Sequence, residues 1–181
     1  LKQKVFLISG FQNWGKSYII QKLFNDRVRF YQHKLYELCG QDFCVHSYSN
    51  DDWGENGYIG AINSRLEKLG STPEYIISAF CPTREKWNDS KRIIETLYKN
   101  ADIYMIALEH KWCLHAKLNI DELKEYYSDI PNLQIITIDE KDPTKKIQAV
   151  KQTICSLLAS KELENAQENK IQTDGKSTEN L

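Results

Sequence analysis

Short runs of consecutive apolar residues recur along this chain, and each is followed by a segment of helical period. Residues 4–9 (Lys-Val-Phe-Leu-Ile-Ser) form the first run, and further runs lie at 75–80, 103–109 and 133–139. Runs that are apolar on both alternating faces suit strands covered on both sides, as in parallel sheets. The intervening segments suit covering helices. Ile19, Ile20, Leu23 and Phe24 share one stripe of a helix expected over 16–25, and Ile59, Ile62, Leu66 and Leu69 share one over 58–69 that Gly70 stops. Helices are likewise expected at 86–99, 120–127 and 143–159. Two alternating segments, 32–38 and 43–49, flank Cys39-Gly40-Gln41-Asp42 and predict a hairpin. The pattern calls for a three-layer α/β domain with a mainly parallel sheet of five or six strands and a hairpin strand at one edge.

Composition narrows the function classes. With 181 residues the chain has the length of one domain. Its 24 basic and 25 acidic residues leave a net charge of −1, so no global basic footprint for nucleic acid exists. No apolar stretch approaches the roughly 20 residues that span a bilayer. The five cysteines are irregularly spaced without a Cys-x-x-Cys pair, which predicts reduced thiols and a cytoplasmic protein. The chain opens on Leu1, and further residues upstream are compatible with that start. From residue 160 onward the composition turns polar, so 160–181 is expected to be a disordered tail and 1–159 the folded domain.

The chemistry lies between the first strand and the first helix. Gly10-Phe11-Gln12-Asn13-Trp14-Gly15-Lys16-Ser17 matches G-x-x-x-x-G-K-[ST], in the strand–loop–helix setting that the motif requires. Glycines let successive backbone N–H groups curl towards a phosphate, and the helix start adds unpaired N–H groups and its positive dipole end. Lys16 is placed to reach β- and γ-phosphates, and the Ser17 hydroxyl to ligate Mg²⁺. The chain thus resembles the P-loop NTPases over residues 4–159. The resemblance implies the three-layer P-loop NTPase fold, with ATP or GTP as ligand and Mg²⁺ as cofactor. It also places Gly10, Asn13, Trp14, Gly15, Lys16, Ser17 and Tyr18 at the nucleotide.

Two branches of that superfamily compete. Asn13-x-Gly15-Lys16-Ser17, followed after the hairpin by Asp51-Asp52-Trp53-Gly54, is similar to GTPase-like proteins. That resemblance makes Asp51 a partner of Ser17 in holding Mg²⁺ and puts Glu55 where a water-positioning glutamine stands. In 110–113 only Lys111 matches the guanine-reading N-K-x-D, as a nucleotide-binding candidate. The stretch 76–85, with Ser78, Pro82 and Arg84, resembles adenylylsulfate kinases, which implies Arg84 as an acceptor clamp and Asp52 as the base. Strand 75–80 ends without an acid, so the carboxylate must come from Asp51 or Asp52. The functional expectation is a Mg²⁺-dependent nucleoside-triphosphate-binding protein that hydrolyses the β–γ bond. The alternatives are a kinase for a small-molecule acceptor and a nucleotide-binding module that contacts a protein partner with negligible turnover. His33, Cys39, Cys44 and His46 sit at spacings that fit no short zinc knuckle, and buried thiols with surface imidazoles fit them better.

Overall fold

The computed structural model describes residues 2–111 and 116–174, with side chains to residue 159. Its main sheet contains six strands: β1 (Lys4–Ser9), β2 (Tyr36–Leu38), β3 (Gln41–His46), β4 (Tyr75–Phe80), β7 (Asp102–Leu108) and β8 (Leu133–Ile138). Two further short strands, β5 (Arg84–Glu85) and β6 (Asn88–Asp89), pair with each other alone. The helices are α1 (Lys16–Leu23), α2 (Asn50–Leu69), α3 (Ser90–Leu97), α4 (Ile120–Tyr126) and α5 (Pro143–Asp174). The expected α/β architecture is present, with spatial order β2-β3-β4-β1-β7-β8. All neighbours are parallel except the β2–β3 hairpin. This sheet order and the strand–loop–helix at its centre make a P-loop-type fold.

Three of the apolar runs became the interior strands β1, β4 and β7, where both faces are covered, and the fourth became the half-buried edge strand β8. All six residues of β1 and of β4 are buried. The core gathers Phe6, Ile8, Ile77, Phe80, Met105 and Ile106 from the sheet with Ile19, Ile62, Ile94 and Val150 from the helices. Among the described residues no helix is long and apolar enough to cross a membrane.

Several boundaries differ from the pattern in the sequence. Strand β2 has three residues, because the chain ahead of it is held by side chains rather than by a ladder. The Arg65 guanidinium on α2 donates to the carbonyls of Phe30 and Tyr31. The hairpin turn is where expected, with Cys39 and Gly40 both at positive φ (54° and 77°), as a two-residue hairpin turn requires. Helix α3 begins at Ser90 rather than 86, since the preceding residues close the β5–β6 hairpin and Asp89 caps the helix through the amides of Lys91 and Arg92. Helix α5 runs on to Asp174, so the backbone over 160–174 is helical where a disordered tail was expected. Alanine, leucine, lysine, glutamate and glutamine, with no Gly or Pro before Gly175, favour that outcome.

The reduced-thiol expectation also fails. Cys39, in the hairpin turn, and Cys155, on α5, form a disulfide with Cα atoms 5.5 Å apart. They are 116 residues apart in sequence, so no local spacing signals the pairing. Disulfides belong to oxidising compartments, so cysteine usage does not support a cytoplasmic location. Cys44 and Cys81 are free and buried.

Candidate functional site

The loop after β1 is shaped by its backbone. Gly10 N–H donates to the Phe80 carbonyl (3.2 Å), tying the loop's start to the end of β4. The Trp14 ring lies against Gly10 so closely that a Cβ there would sit 3.1 Å from Trp14 Cβ. Asn13 and Gly15 both adopt positive φ (61° and 81°), which turns the chain into α1. Gly15 caps that helix without a side-chain hydrogen bond. These elements surround a cleft of about 220 Å³, lined by the loop together with Ser49, Asp51 and Asp52.

The charged groups converge as the motif requires. Lys16 is only 5% exposed, and its Nζ donates to the Phe11 carbonyl (2.9 Å) and to Asp51 Oδ2 (3.3 Å). Ser17 Oγ donates to the Ser47 carbonyl at 2.5 Å. Asp51, 13% exposed, also accepts a hydrogen bond from Ser49 Oγ. The neighbouring Asp52 accepts from the Ser49 amide at 2.9 Å, closing the first turn of α2. A break follows at Gly54, whose φ of 67° and ψ of 174° interrupt the helical path. The acid-bearing segment is therefore a short cap turned towards the loop, and the regular helix follows behind it.

A network missed in the sequence fixes this cap. Asn50 is fully buried. Its Nδ2 donates to the Cys81 carbonyl, Thr83 Oγ1 and Asn88 Oδ1, while its Oδ1 accepts from the Cys81 amide at 2.7 Å. Asn88 returns a bond to the Asn50 carbonyl. One asparagine thus locks the end of β4 to the start of α2. A polar residue just ahead of two acids reads as a turn residue, and no periodic signal marks it. Cys81 stands where β4 lacks an acid. Burial, then the nearby Asp51 charge, pushes its thiol up to about 12, so it is neutral and no metal ligand in that state.

Other predicted residues lie elsewhere. Glu55 is directed at α3, because Gly54 turns the chain before it. Its carboxylate accepts two bonds from Arg92 (both 2.5 Å) and one from the Asp89 amide (2.9 Å). Arg92 holds this carboxyl below its usual range, against the opposing effect of burial. Glu55 is a brace between α2 and α3, not a group lining the cleft. Trp14 is 3% exposed and meets Phe11 edge-on, so its ring packs inside the loop. Tyr18 lines the cleft at its exposed rim, with Lys22 Nζ over its ring.

Arg84 is exposed, donates to the Glu122 carbonyl (2.7 Å) and lies 4.3 Å from the Tyr126 ring centre. It lines a second cleft of about 480 Å³ that reaches Phe11 of the loop and Lys117. The Lys111 amide donates to the Ala116 carbonyl, closing the turn beyond β7. Trp112 and Cys113 lie outside the described residues. The four histidines and cysteines of the hairpin do not gather into a metal site. Cys39 is disulfide-bonded, and His46 is 2% exposed among Tyr48, Trp53 and Tyr58. Burial, followed by the Arg65 charge, lowers the His46 imidazole to about 3.

The fold and site define an α/β protein whose glycine-bounded loop, with Lys16 and Ser17 after it, lies at the carboxyl ends of its central strands. No protein-family model matches the sequence, and no curated protein matches it. Among solved structures, the chain is similar to the shikimate kinase of Bacteroides thetaiotaomicron. The identity is 12% and the TM-score 0.41, over 88% of this chain and 99% of that one.

Proposed function

We propose that the chain binds a Mg²⁺–nucleoside triphosphate at residues 10–17 and transfers the γ-phosphoryl group to a small-molecule acceptor. The observation that carries the nucleotide reading is Lys16. A nearly buried ammonium held only by a loop carbonyl and one carboxylate is ready to exchange both for phosphate oxygens. Loop amides and the start of α1 would hold the β-phosphate, and Lys16 would offset charge on the γ-phosphoryl group. Ser17, freed from the Ser47 carbonyl, and Asp51 are the residues that would hold Mg²⁺, which would offset negative charge on the phosphates.

Three features favour transfer over hydrolysis. Glu55, the residue suited to orient water, is engaged by Arg92 and Asp89. Asp52 lines the loop's cleft and is exposed, while Asp51 holds Lys16, so a carboxylate stands in the cleft to take an acceptor's proton. The Arg84-lined cleft adjoins the loop at Phe11 and has room for an acceptor. In the transfer step an acceptor hydroxyl oxygen attacks the γ-phosphorus while the β–γ bridging oxygen leaves with the nucleoside diphosphate. Asp52, exposed beside Asp51, takes the hydroxyl proton, and Arg84 holds an anionic group of the acceptor. We assign this activity to residues 1–159, with 160–181 as an appendage.

The test uses γ-³²P-labelled ATP and GTP with fractions of a small-metabolite extract. The expected result is label in an organic product, dependent on Mg²⁺ and on one fraction, and abolished in Lys16→Ala. Label released only as inorganic phosphate, at a rate indifferent to every fraction, would replace transfer with hydrolysis. Binding without release of label would leave a nucleotide-gated module.

A further inference from the structure

The turn beyond β7 and the end of β8 carry a second cluster that the nucleotide reading does not use. Glu109, His110 and Asp139 each present a ligand atom, and these atoms all lie within 4.8 Å of one another. We propose that they form a Zn²⁺ site, independent of the Mg²⁺–nucleotide site around Ser17 and Asp51.

Sheet register brings the donors together. Leu108 pairs with Ile138 across the parallel β7–β8 ladder, so Glu109 and Asp139 leave adjacent strands side by side. The backbone is fixed on both sides, since Glu109 N–H donates to the Ile138 carbonyl and its carbonyl accepts from Leu118. His110 is fixed too, because the buried Lys146 donates to its carbonyl at 2.8 Å. The imidazole Nε2 lies 2.6 Å from Asp139 Oδ1. Two carboxylates therefore lie close together beside one imidazole nitrogen, and their paired negative charge favours a cation between them. Lys117 supplies one, with Nζ 2.7 Å from Glu109 Oε1, but its side chain is 64% exposed and can swing away.

One imidazole nitrogen with two carboxylate oxygens suits zinc, which prefers nitrogen over the all-oxygen sets of Mg²⁺ and Ca²⁺. Around tetrahedral zinc, ligands about 2.0–2.2 Å from the ion lie roughly 3.3–3.6 Å apart. The cluster reaches that spacing when its carboxylates shift by about 1 Å, which the 74% exposure of Asp139 allows. On binding, the imidazole hydrogen passes from Nε2 to Nδ1 by way of water, Nε2 donates its lone pair to the metal, and Asp139 exchanges a hydrogen bond for a metal bond. Water completes the coordination. Lys117 is the built-in competitor, and this sets the site apart from a simple surface hydrogen bond.

The full chain is titrated with Zn²⁺ against a chromogenic chelator in excess Mg²⁺. One zinc per chain is expected in the wild type and in Lys16→Ala, so failure of the nucleotide reading leaves this result untouched. Asp139→Asn should weaken binding by more than about tenfold, the lower bound for disturbing even an outer-sphere partner. Lys117→Ala should tighten it by up to about fivefold, the worth of an exposed ion pair. His110→Ala should abolish it, and if that variant fails to fold, the exposed Asp139 decides. Absence of bound zinc, or zinc whose affinity Asp139→Asn and Lys117→Ala both leave unchanged, overturns the proposal.

Discussion

Replacing Lys16 by alanine separates the structural role of its ammonium group from the nucleotide-binding role proposed for it. Nζ bonds the Phe11 carbonyl at 2.9 Å and Asp51 at 3.3 Å. In the proposed complex it would exchange both for phosphate oxygens, so part of the gain would be offset by what is given up. A net advantage of about one charge-assisted hydrogen bond, or about 1.5–3 kcal/mol, corresponds to a loss of about 10- to 150-fold in affinity. The same substitution leaves the Asp51 carboxylate, 13% exposed, with Ser49 but without its cation. That costs about 1–3 kcal/mol of folding stability. Adding Asp51→Asn to Lys16→Ala removes the unpaired charge, so it should restore most of the stability and none of the affinity. Thermal unfolding reads the first quantity, and titration with a fluorescent nucleotide analogue in Mg²⁺ reads the second. Unchanged nucleotide affinity in Lys16→Ala would refute the assignment, and so would affinity recovered by the double substitution.

Glu55→Gln should lower thermal stability by loosening α2 from α3, yet leave turnover of a measured substrate within about threefold, as expected for a group outside the reacting atoms; a loss of several orders of magnitude would return Glu55 to the site. His46, buried and neutral with its imidazole lowered to about 3, titrates near 6.5 when unfolded. The unfolded chain therefore binds the extra proton first, and this contribution to stability is complete above pH 6.5 and is lost as pH falls towards 3. The slope is at most about 1.4 kcal/mol per pH unit, and urea unfolding of His46→Leu should lack it. The Cys39–Cys155 crosslink closes a loop of 116 residues, for which chain entropy gives about 4–5 kcal/mol. Reductant should lower the unfolding midpoint accordingly, and a Cys39→Ser/Cys155→Ser variant should be insensitive to it.

What the sequence made legible was what periodicity and local chemistry encode. Double-sided apolar runs placed β1, β4, β7 and β8, and glycines with a lysine and a serine placed the loop between β1 and α1. Lys16 and Asp51 were named as site residues and lie 3.3 Å apart. What stayed hidden depends on neighbours distant in sequence. Strand order cannot be read from alternation, so β4 standing between β1 and β3 was not foreseeable. Asn50 acts through Cys81, Thr83 and Asn88, more than thirty residues away. Glu55 looked catalytic from its place after Asp51-Asp52-Trp53-Gly54, but the positive φ at Gly54 redirects it to Arg92. The disulfide and the Glu109–His110–Asp139 cluster each arise only when two elements meet.

The central claim is that the loop amides and Lys16 hold a phosphate chain. Its most direct test is an amide-resolved magnetic resonance titration with Mg²⁺ and a non-hydrolysable ATP or GTP analogue. Saturable shifts concentrated on Asn13, Gly15, Lys16 and Ser17 are expected, with smaller changes at Asp51, and in Lys16→Ala the same shifts should need about 10- to 150-fold more nucleotide. Resonances of 10–17 that stay fixed at millimolar concentrations of both nucleotides, or shifts confined to another face, would contradict it.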